Sequence, residues 1–255
     1  MLDATPTPDA QVETLLEVNN IEVIYNSVIL VLKGVSLKVP KGGITALLGG
    51  NGAGKTTTLK AISNLLHSER GEVTKGSIKY RNDPVHKLDP AEMVKRGVVQ
   101  VMEGRHCFEH LTIEENLLTG AYTRSDGKAA IARDLEMVYD YFPRLRERRK
   151  SQAGYTSGGE QQMLAIARIL RTGAQFIVLD EPTEGLAPVI VQQIGRTIER
   201  LRQKGFTILL VEQNLRFATS VADRFCVVEH GQVIDTLTRA DVDASTDKLN
   251  SYLGV

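Results

Sequence analysis

The residues with the clearest chemistry lie at positions 49–56, Gly49-Gly50-Asn51-Gly52-Ala53-Gly54-Lys55-Thr56. Glycines let successive backbone amides turn inward around phosphate oxygens. A helix beginning there, with Thr57 in its first turn, points its positive end at the same anion. In that geometry Lys55 reaches the β- and γ-phosphates of a nucleotide and the Thr56 hydroxyl ligates Mg²⁺. The pattern Gly-x4-Gly-Lys-Thr arises by chance roughly once in a hundred chains of this length. A second group follows far downstream, where Phe176-Ile177-Val178-Leu179-Asp180-Glu181 sets two carboxylates at the end of an apolar run. Asp180 is placed to hold Mg²⁺ through water, and Glu181 to polarise an attacking water as a general base.

These groups need elements that bring them together. Residues 15–25 and 34–39 alternate apolar and polar side chains, as half-buried strands do. Residues 44–48 form a run that is apolar except for Thr45, which suits a strand buried on both faces. That run feeds the glycine loop, and residues 57–66 continue as a helix, the strand–loop–helix order that a phosphate loop requires. Further strands are expected at 71–80, 97–102, 176–179, 206–211 and 225–229, and helices at 90–96, 161–170 and 189–203. Thr112-Ile113-Glu114-Glu115 carries a helix-start pattern, and about 111–150 reads as helical apart from a turn at 124–128. Strands alternating with helices argue for an α/β fold on a mainly parallel sheet. Ligands collect at the carboxyl ends of such strands.

Composition narrows the function classes. Lys plus Arg and Asp plus Glu number 31 each, so formal net charge is zero and general attraction to nucleic acid is not expected. No stretch approaches the roughly 18–20 apolar residues that span a bilayer. The segment 1–14 reads as a flexible polar tail without signal-peptide character. Cys107 and Cys226 lack partners at metal-ligand spacing and read as reduced thiols. Five basic residues between 144 and 150 read as a solvated helix face. Tyr139, Tyr141 and Phe142 are expected to pack the helical region.

In this order, the motifs resemble the ATP-binding subunits of ATP-binding cassette (ABC) transporters, over about residues 15–254. The resemblance implies a P-loop NTPase core of ABC type with a small antiparallel β subdomain and an α-helical insert at about 102–157. It implies that Ser157-Gly158-Gly159-Glu160, opening the helix upstream of the acidic pair, is the signature segment presented to ATP held by a partner cassette. Tyr25 falls where the family places an aromatic that stacks on adenine. Several positions depart from the family pattern: Thr156 replaces Leu, Glu160 the commoner Gln, Glu103 the usual Gln, Gln213 the switch His and Ala187 an Asp. Gln100, three residues before Glu103, is the poorer match to that Gln. An amide at Gln213 can hydrogen-bond a γ-phosphate but cannot carry a proton.

As a set, Met-Glu-Gly-Arg-His, Gly-Leu-Ala-Pro, Val-Glu-Gln-Asn and the terminal Tyr252-Leu253-Gly254 resemble the second ATP-binding subunit of branched-chain amino-acid importers. A sibling group that imports urea and short amides shares much of this wording. The resemblance implies binding of MgATP at a dimer interface with a second ATP-binding subunit, identical or related. It implies two separate membrane-spanning permease subunits, an extracytoplasmic binding protein that delivers cargo, no nucleic-acid partner, and a peripheral place on the cytoplasmic face of the membrane. Two other readings are a soluble ABC ATPase that remodels macromolecules and a weakly catalytic regulatory binder.

Overall fold

The computed structural model describes residues 13–104 and 106–244. Most of the expected tail and the terminal Tyr252-Leu253-Gly254 lie outside the described residues, whereas Thr14 already opens the first strand. In chain order the elements are β1 (Thr14–Tyr25), β2 (Ile29–Pro40), β3 (Ile44–Leu48), α1 (Lys55–Ile62), β4 (Gly71–Tyr80), β5 (Asp83–Pro84), α2 (Pro90–Lys95) and β6 (Val98–Val101). Then come α3 (Ile113–Thr119), α4 (Lys128–Tyr141), α5 (Pro143–Glu147), α6 (Gly158–Leu170), β7 (Phe176–Asp180), α7 (Pro188–Gln203) and β8 (Thr207–Glu212). The last are α8 (Leu215–Val221), β9 (Arg224–Glu229), β10 (Gln232–Thr238) and α9 (Arg239–Ala244).

The strands divide between two sheets. One is antiparallel with the order β2-β1-β4-β5, and the other runs β10-β9-β3-β8-β7-β6. In the second, β9, β3, β8, β7 and β6 are parallel and β10 is antiparallel to β9. Its central strands read as continuous apolar runs because both faces are covered. Ile44, Ala46, Leu48, Ile177, Leu179, Ile208 and Leu210 pack with residues of α6, α7 and α8. Leu47, Phe176, Val178, Leu209 and Val211 point the other way, onto α1 and the antiparallel sheet. That alternation is the period of two in a strand.

The expected α/β architecture with antiparallel region and helical insert is found. The turn expected at 124–128 is found, but the break is longer: α3 stops at Thr119, α4 begins at Lys128, and α5 is a separate helix. Tyr139, Tyr141 and Phe142 are buried in the core, as expected. Thr112 caps α3 in a reciprocal capping box with Glu115, the pattern read from the sequence. Helix α1 begins at Lys55, two residues before the expected start, and ends at Ile62, where Asn64 turns left-handed and donates its side-chain amide to Val85 O at 2.8 Å. The basic run at 144–150 is laced by ion pairs from Arg144, Arg146, Arg148 and Arg149 to Glu147, Glu136, Glu160 and Glu114.

Because neighbouring strands in the order β3-β8-β7-β6 are parallel, their carboxyl ends share one edge of the sheet. The segments leaving them are the glycine loop, Gln213, Glu181 and Glu103, in that order across the edge. The topology alone therefore makes neighbours of groups separated by as many as 162 residues in the chain.

Candidate functional site

The loop after β3 requires glycine for two physical reasons. A Cβ on Gly49 would stand 2.4 Å from the Val228 carbonyl oxygen. Gly52 and Gly54 have φ of 76° and 105°, the left-handed region that side chains disfavour. The loop is held from within by Ala53 N–H donating to Gly50 O at 3.2 Å, and from outside by Gly231 N–H donating to Ala53 O at 2.9 Å. Gly54 is the cap of α1 and brings no side-chain bond, and the first turn carries no acidic residue. The amides at the start of α1 therefore remain available to an anion.

Three loops meet over this helix start. Lys55 Nζ donates to Gly50 O at 3.0 Å and lies 3.2 Å from Glu181 Oε1, with only 4% and 10% of the two side chains exposed. Gln213 Nε2 donates to Asn51 Oδ1 at 2.7 Å and to Glu181 Oε1 and Oε2 at 2.8 and 2.9 Å. Glu181 itself has φ 44°, a left-handed backbone uncommon for a residue with a side chain. A cleft of about 370 Å³ opens here, lined by Asn51, Gly52, Gly54, Lys55, Thr56, Thr57, Glu103 and Glu181 among others.

Asp180 is 2% exposed, and its Oδ1 has no hydrogen-bond partner. Burial pushes its carboxyl up to about 6; the charges of Glu103 and Glu181 add to the rise, while Lys55 and Lys60 oppose it. It lines a neighbouring cavity of about 510 Å³ with Thr56, Glu103 and Gln100, whose buried Oε1 is likewise without a partner. A hydroxyl, a carboxylate and an orphaned acceptor form an all-oxygen set that fits a hard cation such as Mg²⁺. Among the described residues no group of three or more His, Cys, Asp or Glu side chains is placed to hold a metal ion by itself. A cation here would therefore need phosphate oxygens to complete its shell.

Residues 157–160, the expected signature segment, lie elsewhere, and none of them lines the cleft beside the glycine loop. Ser157 caps α6, accepting from Glu160 N–H at 3.3 Å, and the Glu160 carboxylate accepts in return from Ser157 N–H at 2.8 Å and Oγ–H at 3.0 Å. Burial works to raise the Glu160 carboxyl, but the bonds from Ser157 and the charge and bond from Arg148 outweigh it and hold the carboxyl low. Gly159 lets α6 approach α7, since a Cβ there would meet Ile190 at 2.7 Å. Tyr25 is half-buried at the end of β1, its ring against Gly71, and is not among the residues lining the cleft. Among the features sequence reading missed are the Asn51–Gln213 bridge and the fact that Glu160 completes a capping box. The Ser-x-x-Glu spacing carried the second.

A family model described as ABC transporter matches residues 32–184. The chain belongs to that family. Among curated relatives it is 40% identical over 230 residues to the high-affinity branched-chain amino acid transport ATP-binding protein BraG of Pseudomonas aeruginosa, covering 90% of this chain and 96% of BraG. It is 37% identical over 204 residues to a protein described as "Probable branched-chain amino acid transport ATP-binding protein LivF" of Archaeoglobus fulgidus, covering 80% and 84% of the two chains. It is also 31% identical over 226 residues to the lipopolysaccharide export system ATP-binding protein LptB of Escherichia coli, covering 88% and 91%. A solved ATP-binding cassette of an ABC transporter, in its ADP conformation, superposes with a TM-score of 0.82 at 26% identity, covering 95% of this chain and 100% of that one. This ABC chain is thus a nucleotide-binding, ATPase-family subunit homologous to amino-acid importer ATPases. Among its described residues no helix is long and apolar enough to cross a membrane, and the two branched-chain relatives are described as ATP-binding proteins of amino acid transport.

Proposed function

We propose that this chain is the ATP-hydrolysing subunit of an importer for branched-chain or related amino acids, working on the cytoplasmic face of the membrane. The observation that carries the site assignment is the convergence of Lys55, Glu181 and Gln213 at hydrogen-bond distance over the uncapped start of α1. The cargo class is supported by the names of its relatives and by the motif wording of the sequence. The partners are a second cassette, identical or related, two permease subunits and, indirectly, an extracytoplasmic binding protein.

In this reading the amides of residues 49–57 cradle the phosphates and Lys55 neutralises their charge. Tyr25 stacks on the adenine from the edge of the antiparallel sheet. Thr56 and Asp180 hold Mg²⁺, which when bound screens charge developing on the phosphates. Lys55 has one ammonium group to share between the nucleotide and Glu181. As it turns to the phosphates it releases Glu181 Oε1, which then accepts a proton from the attacking water. Gln213 keeps its amide on Glu181 and Asn51 and orients that carboxylate without exchanging a proton. Glu103 senses the site from the loop that enters the helical insert. Ser157, Gly158 and Gly159, with Glu160 bracing the cap, face the γ-phosphate on a partner cassette. Closure is then favoured by ATP and lost after hydrolysis, as a population shift.

The test is light scattering of purified Glu181→Gln protein with MgATP, alone and with its partner cassette. Dimer formed with MgATP and absent with MgADP supports the reading. A monomer under every nucleotide condition, with or without the partner, overturns it.

A further inference from the structure

The backbone ladder between β7 and β8 stops just where the chemistry begins. Its last pair is Asp180 with Val211, and one more bond follows, Glu181 N–H to Val211 O at 3.0 Å. Beyond it the chain turns through the left-handed Glu181 into Pro182, a path that strand pairing cannot hold. A side chain takes over. Glu212 is 3% exposed, and its Oε1 accepts from Thr183 Oγ–H at 2.7 Å and from Thr183 N–H at 3.3 Å. Its Oε2 accepts from Asn214 N–H at 3.4 Å. One carboxylate thus fastens the residue two beyond Glu181 and the residue after Gln213.

A buried carboxylate with only this job would be costly unless its bonds hold something that matters. Thr183 is itself 6% exposed, so its two donors have little access to water as a substitute, whereas Asn214 is exposed. We propose that Glu212 is a positioning residue for ATP hydrolysis. Its carboxylate splints the segment after Glu181 to the segment carrying Gln213, and so keeps the Glu181 carboxylate and the Gln213 amide at their 2.8 and 2.9 Å contacts. Glu212 is not among the residues lining the cleft; it acts through Glu181 and Gln213. The proposal rests on the reading of Glu181 as general base.

The experiment compares Glu212→Gln, Glu212→Val, Thr183→Val and Glu181→Gln for nucleotide affinity and single-turnover hydrolysis. Gln keeps an acceptor for Thr183, so hydrolysis should stay within about fivefold of wild type. Val removes every acceptor, and misplacement of a reacting group by ~1 Å costs up to about a hundredfold. Glu212→Val should therefore slow hydrolysis about ten- to a hundredfold with nucleotide affinity within about threefold. Thr183→Val breaks the short bond from the other side and should give the same split if Glu212→Val does not fold. Adding Glu212→Gln to Thr183→Val should slow hydrolysis no further. An inactive Glu181→Gln beside undiminished hydrolysis in both valine variants overturns the positioning role. So does a valine variant whose affinity falls as much as its rate. An active Glu181→Gln overturns the base assignment instead, a distinguishable result.

Discussion

The contact between Lys55 and Glu181 gives the sharpest energetic prediction. At 3.2 Å, with an effective dielectric of about 20, the gross attraction is about 5 kcal/mol. Desolvation of two side chains that are 4% and 10% exposed cancels much of that. Gly50 O and the Gln213 amide already satisfy part of each partner. The net coupling should be about 1–3 kcal/mol. Lys55→Met alone strands a carboxylate whose remaining donor is Gln213, and should destabilise the nucleotide-free protein by about 3 kcal/mol. Lys55→Met combined with Glu181→Gln should recover most of that loss. The assay is urea unfolding of the wild type, both single variants and the double variant, without nucleotide. With saturating MgATP the coupling should shrink, because Lys55 then faces phosphate. A coupling below about 0.5 kcal/mol in the free protein would refute the argument that Lys55 is shared between Glu181 and the nucleotide.

Other outcomes follow from the same geometry. Glu181→Gln should slow single-turnover hydrolysis about 10²- to 10⁴-fold with nucleotide binding retained; turnover equal to wild type would remove Glu181 from the role of base. Gly49→Ala forces a Cβ to 2.4 Å from Val228 O and should cost about 2–4 kcal/mol in urea unfolding; an unchanged midpoint would contradict that close approach. Burial pushes the Glu212 carboxyl from 4.5 up to about 7, with the Glu181 charge adding to the rise and the bonds from Thr183 and Asn214 opposing it. The folded state then keeps a proton that the unfolded state has lost. The contribution of Glu212 to stability is fullest below about pH 4.5 and is lost, by about 3 kcal/mol, as pH climbs through about 7. Glu212→Gln should flatten that decline in pH-dependent unfolding, and an identical slope in the variant would exclude Glu212 as its source.

The strands that carry the site were legible because each is buried on both faces: Ile44 to Leu48 has Thr45 as its one polar side chain and Phe176 to Leu179 has none. Parallel pairing then fixes the common edge, so the glycine loop, Glu181 and Gln213 fall together without fine detail. Glu212 was not legible. It ends an apolar strand just as Asp180 does, and its role exists only through Thr183, 29 residues earlier in the chain. The Asn51–Gln213 bridge is hidden for the same reason. Helix α1 was read two residues late because a lysine and threonine beside glycines look like loop, whereas a helix start is where an anion-binding loop must lead. In the insert, Arg124-Ser125-Asp126-Gly127 showed the turn, whereas the stop of α3 at Thr119 was not legible, because it comes from the close approach of Gly120 to α6, where a Cβ would stand 2.1 Å from Arg168 O.

The proposed coupling of hydrolysis at this site to amino-acid uptake can be measured with labelled leucine, and labelled urea in parallel, in cells lacking the gene and complemented with wild type or Glu181→Gln. Leucine uptake should be lost and restored only by wild type, with urea uptake unaffected. Leucine uptake that persists without the gene while urea uptake disappears would contradict it.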